Sequence, residues 1–324
     1  MLDNLAEKIK AAKNIILTTH RQCDGDGLGA QLGLFHALKK LKKNVRVISV
    51  DEIPRKYFFL NGTEVIEIYE GKHAPIDKCD LCLIFDTNDR RLLSPLYEAI
   101  EATDCEILFI DHHPVLTKGP KPTDGSVIDT FAASTGEMAF NLIKTMGISL
   151  DTHIAEAIYT SIVFDTQIFR YVRNSATSHL IAAELLPFIK NPGRIHQNLF
   201  GNFTTQKIAF LSKILGNIEY FADSKIAILY VASQDLANHG MDLDDSRDIV
   251  DMIMNIDSLE AAVLFREDSP NEYKLSLRSK GNLEVLDLSE KLGGGGHRFS
   301  SGAFLKGQYP ELKSKIVDEL KKHL

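Results

Sequence analysis

Five short segments place aspartate or histidine at the point where an apolar run stops. "NIILTTH" ends in His20, "CDGDG" follows with Asp24 and Asp26, "LCLIFD" ends in Asp86, "EILFIDHH" ends in Asp111, His112 and His113, and "SIVFDT" breaks off at Asp165. Carboxylates and imidazoles are proton carriers, and together they form a ligand set for divalent cations. Five aspartates gathered in one place without countercharge would oppose one another's ionisation, and cations resolve that conflict. The acids outnumber what one ion needs, so a two-ion site is expected. A mixed carboxylate and imidazole set suits manganese best, with zinc, iron or cobalt as substitutes and magnesium less favoured. Two ions roughly 3.5 to 4 Å apart can lower the pKa of a water and hold phosphoryl oxygens for in-line attack, which is the chemistry of phosphoester hydrolysis.

Residues so far apart in sequence converge only if the elements carrying them end along one edge. Apolar runs at 14–20, 45–50, 80–87 and 106–113 read as strands buried on both faces, separated by helical segments, the first at 28–43. That alternation predicts an α/β fold with a doubly wound, mainly parallel sheet, whose carboxyl edge is where a ligand site forms. Gly25 and Gly27 are read as forming a tight loop that turns Asp24 and Asp26 toward one point, ahead of a helix N-terminus that tolerates negative charge. Helices are expected at 134–146 and 152–164, the first opening with the capping-box pattern "STGE" at Ser134.

The chain of 324 residues, 44% apolar and 25% charged, has the composition of a globular protein of two domains. Pro, Gly and Asn cluster in "FIKNPGRIHQNLFGNFT", so the expected division is a metal-binding domain at 1–187, a linker and connecting helix at 188–222, and a smaller α/β domain at 223–324, with a cleft between the two domains. Neither a membrane span nor an apolar signal core is present, so a cytoplasmic protein is expected. The four cysteines, Cys23, Cys79, Cys82 and Cys105, fall in the first third and read as reduced, buried thiols. "CDLC" has no second pair to complete a zinc site. A formal charge of −7 argues against affinity built on coating long nucleic acid with cations, and leaves room for a small anionic substrate in a local positive pocket.

In the second domain, the four glycines of "LGGGGHRF" would let backbone N–H groups approach an anion closely. Gly294, Gly295 and Gly296 are read as a nest for phosphate or carboxylate, with His297 and Arg278 as added donors. Arg90, Arg170 and Ser134 lie near ligand acids in sequence and are weaker candidates for substrate contact.

These segments resemble the DHH phosphoesterases, a family that takes its name from the motif at 111–113. "HRQCDGDGLGA" is similar to the family's first motif, "FDTNDR" (85–90) to its second, "DHH" to its third and "FDTQIFR" (164–170) to its fourth. "SLRSK" (276–280) and "LGGGGHRFSSGAF" (292–304) resemble the DHH-associated C-terminal domain. The resemblance implies one metal held by His20, Asp24 and Asp86, and a second held by Asp26, Asp86, His112 and Asp165, with Asp86 bridging. It further implies that His113 meets the substrate and helps protonate a leaving oxygen, while Asp111 orients the histidines. Two details depart from the family pattern: Ser300 and Ser301 stand where Ala-Ala is common after "GGGGH", and Cys23 where Pro is common.

Within the family the chain is most similar to the nanoRNase/pAp phosphatase type. That implies hydrolysis of very short oligoribonucleotides to mononucleotides and removal of phosphate from 3′-phosphoadenosine 5′-phosphate (pAp). The alternatives are a phosphodiesterase acting on cyclic di-AMP or pApA, a RecJ-like exonuclease and a nucleotide sensor without turnover. Short RNAs, pAp and pApA are the expected partners, with a second copy of the chain as a further candidate. A stable complex with long nucleic acid is not expected.

Overall fold

The computed structural model describes residues 2–69, 76–117, 119–201 and 203–324, arranged in two compact units. The first comprises Met1–Val115 and Gly119–Asn202, and the second Leu116–Lys118 and Phe203–Leu324.

The first unit is built on strands β1 (Asn14–Thr19), β2 (Asn44–Ser49), β3 (Glu67–Ile68), β4 (Leu81–Phe85), β5 (Glu106–Asp111) and β6 (Val127–Ile128). They form one sheet in the order β3-β2-β1-β4-β5-β6, and every pairing is parallel. The apolar strands are uninterrupted because both faces are covered. Ile15, Leu17, Leu83, Phe85, Leu108 and Ile110 enter one core, shared with helices α1 (Leu2–Ala11) and α2 (Gly25–Lys40). Ile16, Cys82, Ile84, Ile107 and Phe109 enter another, closed by α3 (Leu96–Glu101). Winding reverses between β1 and β4, which is the switch point where open α/β sheets bind ligands.

Helices α4 (Thr135–Thr145) and α5 (Thr152–Asp165) pack with α2 on the first face. Their approach depends on missing side chains. A Cβ on Gly29 would lie 2.5 Å from the Ala157 carbonyl oxygen, and one on Gly136 would lie 2.2 Å from Ser161 Oγ. Small residues therefore let three backbones meet beneath the carboxyl edge of the sheet.

Three expectations change here. Helix α2 begins at Gly25, not at residue 28, because Asp24 caps it by accepting from the Asp26 N–H; Gly25 and Gly27 lie in its first turn, not in a loop. The Pro/Gly/Asn cluster is not a linker throughout. Pro192 opens a helix, α7 (Pro192–Phe200), that follows α6 (Thr177–Leu185) and buries Ile195 and Leu199 in the first core, so the break between units falls after Asn202. Cys79 and Cys105 form a disulfide, with Cα atoms 5.4 Å apart, whereas Cys23 and Cys82 remain buried thiols. They meet because β4 and β5 run in parallel register from Leu81 opposite Glu106, which sets the preceding residues side by side.

In the second unit, α8 (Thr205–Gly216) leads to β7 (Glu219–Phe221), β8 (Ile226–Val231), α9 (Ser233–His239), α10 (Arg247–Ile253), β9 (Ala261–Ser269), β10 (Glu272–Ser279), α11 (Leu286–Lys291), β11 (Gly295–His297), β12 (Ser300–Lys306) and α12 (Tyr309–Lys321). Its sheet runs β11-β12-β10-β9-β8-β7, parallel only between β8 and β9. One face packs on α8, α9 and α10, the other on α11 and α12.

No helix among the described residues is long and apolar enough to cross a membrane.

Candidate metal centre

The carboxyl edge of the first sheet brings most of the candidate residues together. His20 follows β1, Asp86 follows β4, Asp111 ends β5 with His112 and His113 behind it, Asp24 and Asp26 open α2, and Asp165 ends α5. Among the described residues of the first unit three donor groups result, each with ligand atoms within 4.8 Å of one another: His20 with Asp24 and Asp86, Asp26 with His112 and Asp165, and Asp86 with Asp111 and His113.

Asp86 divides its oxygens between the first two groups. Its Oδ2 lies 3.4 Å from His20 Nε2, and its Oδ1 lies 3.5 Å from His112 Nε2. His112 Nε2 is also 3.4 Å from Asp26 Oδ2 and 3.6 Å from Asp165 Oδ2, while His20 Nε2 is 3.9 Å from Asp24 Oδ2. Donors about 2.1 Å from one octahedral ion stand roughly 3 Å apart when adjacent and 4 Å when opposite, so these separations fit small divalent cations. Asp86 is held in the left-handed region at φ 61°, a conformation that costs a non-glycine residue about 1 to 3 kcal/mol and clusters at functional sites.

Residues that sequence reasoning passed over fix the ligands. Buried Asp26 accepts from Thr135 N–H at 2.8 Å, from Gly136 N–H at 3.1 Å and from the Ser161 hydroxyl. The first turn of α4 is therefore an anion cradle for a carboxylate of α2, and "STGE" was its only sequence signal. Thr135 Oγ1 also donates to Asp86 Oδ1 at 3.3 Å. Asn88 Nδ2 donates to Asp111 Oδ2 at 2.7 Å and to the His113 carbonyl at 3.0 Å.

Each histidine has its own orienting contact. Asp111 Oδ1 lies 2.8 Å from His113 Nδ1, whereas His112 Nδ1 lies 3.2 Å from the Ala132 carbonyl oxygen. The two rings lie 4.8 Å apart, and Asp86 Oδ1 faces both, 3.5 Å from His112 Nε2 and 3.6 Å from His113 Nδ1. His112 is fully buried and His113 is partly open to solvent.

The electrostatics show competing charges. Burial opposes protonation of His20, but Asp24 and Asp86 hold its imidazole up at about 10. Burial likewise opposes protonation of His112, and Asp165, Asp86 and Asp26 raise it well above its ordinary value. His113 is raised by Asp111 against burial. Burial pushes Asp26 well up, reinforced by Asp86. Asp165 is pushed up to about 6, by burial first, which attraction to His112 opposes and repulsion from Asp86 and Asp24 reinforces. Asp86 goes the other way: burial is outweighed by bonds from His112 and His20, which hold it well below the usual carboxylate range. Carboxylates that retain protons beside imidazolium groups are ligands whose protons a cation would displace.

Other candidates have different surroundings. Ser134 is fully buried, and its hydroxyl caps α4 by accepting from Glu137 N–H at 3.3 Å, so it is a structural cap and does not face a substrate. Arg90 lies 3.9 Å from Glu101 and 5.7 Å from the Tyr97 ring, and Arg170 stacks 5.2 Å from the Tyr171 ring. In the second unit, Arg278 Nε is bonded to Asp251 Oδ1 at 2.6 Å. The glycines do not form an open loop: Gly295, Gly296 and His297 make up β11, paired to Gly302, Ser301 and Ser300 of β12. A Cβ on Gly294 would lie 1.9 Å from the Gly302 carbonyl oxygen, so close strand contact explains that glycine without an anion.

Comparison with known proteins agrees with this architecture. Residues 14–162 match the DHH family, N-terminal domain, and residues 223–324 match the DHHA1 domain. The chain belongs to the DHH family. It is 28% identical over 307 residues to the "Bifunctional oligoribonuclease and PAP phosphatase NrnA" of Thermus thermophilus, covering 94% of this chain and 88% of that one. The Bacillus subtilis protein of the same name is 28% identical over 309 residues, covering 94% and 93%. The crystal structure of an exopolyphosphatase-related protein from Bacteroides fragilis superposes with a TM-score of 0.88 at 25% identity, covering 99% of this chain and 96% of that one.

Proposed function

We propose that this DHH protein is a metal-dependent phosphoester hydrolase that cleaves short oligoribonucleotides to mononucleotides and converts pAp to AMP. The observation that carries the reading is Asp86, whose two oxygens face two separate donor groups, the arrangement needed to bridge a pair of cations. The names of the relatives from Thermus thermophilus and Bacillus subtilis support the substrate class. The imidazole and carboxylate donors favour manganese.

When bound, two divalent cations supply Lewis acidity toward phosphoryl oxygens and lower the pKa of a water. The chain's own residues do the rest. His20, Asp24 and Asp86 would hold one cation, and Asp26, His112, Asp165 and Asp86 the other. The Thr135 and Gly136 amides fix Asp26 before any ligand arrives, and the Ala132 carbonyl fixes the ring of His112. His113 keeps its Nδ1 against Asp111, which supports a protonated ring able to pass a proton to a leaving oxygen. In the second unit, Arg278 and His297 are the proposed contacts for substrate phosphate, with Asp251 as the resident partner that a phosphate would replace. This reading places the protein in the cytoplasm.

The test is a product time course in manganese over pAp, pApA, short and long RNAs, cyclic di-AMP and pyrophosphate. AMP release from pAp and pApA, lost in excess chelator, is the expected result. Chelator-resistant turnover, or cleavage confined to cyclic di-AMP or pyrophosphate, would overturn the reading.

A further inference from the structure

Two loops flank the metal centre, and each carries an aromatic ring that the hydrophobic core does not use. The first spans 129–134, between β6 and α4, and it is fastened along its length. Asp129 N–H donates to the Asp111 carbonyl at 2.9 Å, Phe131 N–H to Asp129 Oδ1 at 3.0 Å, Ala132 N–H to the Asp129 carbonyl at 3.1 Å and Ala133 N–H to Glu137 Oε2 at 3.1 Å. The next carbonyl after Phe131, that of Ala132, lies 3.2 Å from the ring of His112. In the middle of this fixed stretch, the Phe131 side chain is 86% exposed.

The second loop follows Asp165. Arg173 donates to the Thr130 carbonyl at 2.6 Å and so ties it to the first. It presents Tyr171, half exposed, with the Arg170 guanidinium over its ring. Rings and arginines beside a phosphate site match how single strands are gripped: bases stack on aromatic and guanidinium planes while the backbone meets charge. A pinned backbone also spares the cost of ordering the loop when a base settles on the ring.

We propose that Phe131 is a stacking platform for a nucleobase of the substrate whose phosphate occupies the metal centre, a role that rests on the hydrolase reading above. Phe131 is thus a substrate-positioning residue, and Tyr171 extends the same aromatic rim. Because every base has a π-face, such a platform favours nucleotides over simple phosphoesters without selecting one base.

The test uses 2-aminopurine riboside 5′-monophosphate, which has no diester to cleave and whose fluorescence falls on stacking, titrated in magnesium. Wild type, Phe131→Tyr and Phe131→Trp should quench the probe. Phe131→Ala and Phe131→Leu should lose the quenching and bind about tenfold more weakly, with an unchanged thermal midpoint, since the ring is not packed. Equal quenching in wild type and Phe131→Ala, or full rescue by Leu, would overturn the proposal. So would a changed sedimentation coefficient in Phe131→Ala with quenching intact, which would mark a contact between copies. A wild-type protein that quenches the probe yet releases no AMP from pApA would remove the hydrolase reading and leave the platform. AMP release with no effect of Phe131→Ala on probe binding would do the reverse.

Discussion

Replacing Asp165 with asparagine should stabilise the protein when metal is absent and weaken it when metal is present. Without a cation, burial and the neighbouring Asp86 and Asp24 push the Asp165 carboxyl from 3.8 up to about 6. Roughly two units at about 1.4 kcal/mol each give about 3 kcal/mol. The side chain keeps 30% of its exposure, so solvent screening reduces this to about 1 kcal/mol. A folded pKa above the unfolded one means that the folded state binds the proton more tightly. The associated stability is present below pH 3.8 and is lost as pH rises through about 6. In chelator, wild type and Asp165→Asn should therefore match near pH 4, and the variant should be more stable by about 1 kcal/mol at pH 8, or about 2 to 4 °C in thermal midpoint. Saturating manganese should invert the order. At a concentration one hundred times its Kd, an ion adds about 2.7 kcal/mol to the state that binds it, and the variant lacks one of the proposed ligands. The assay is denaturant or thermal unfolding from pH 4 to 8, with chelator and with manganese. A variant less stable than wild type in chelator at every pH, or a difference that does not change with pH, would refute the reasoning.

Three further outcomes follow from the geometry. Asp86→Ala removes the carboxylate shared by two donor groups and should lower turnover of pApA by about a thousandfold or more; a folded variant with near-normal turnover would move the site elsewhere. Gly29→Ala sets a Cβ 2.5 Å from the Ala157 carbonyl, so unfolding in urea should show a loss of about 1 to 3 kcal/mol, and unchanged stability would contradict the α2–α5 contact. Asn88→Ala frees Asp111 Oδ2 and should cut turnover about 10- to 100-fold with metal content intact, since it acts through the Asp111–His113 pair; lost metal instead would assign Asn88 to the cation cradle.

Much of this architecture was legible because the signals are local. Apolar runs ending in His20, Asp86 and Asp111 state both the strand and the end of it that carries the candidate donor. The errors arose where a local pattern had two meanings. Gly25 and Gly27 suggest a loop by composition, yet Asp24 caps a helix that starts at once, and Gly27 is needed because a Cβ would lie 2.1 Å from Thr19 Oγ1. Gly295 and Gly296, read only as part of a nest, also pair with β12 as an edge strand. Pro192 and Gly193 suggest a linker, yet a proline at the first helical position starts α7.

By itself the sequence determined which groups stand at the ends of which elements: periodicity fixes strand and helix, and the residue closing each apolar run needs no distant partner to be read. Only the tertiary structure decided which groups serve one another. Asp26 rests on amides 109 and 110 positions away and on the Ser161 hydroxyl, His112 leans on a carbonyl 20 positions on, and Cys79 reaches Cys105 through strand register. Such contacts depend on backbone approach and register between segments, which no local spacing encodes.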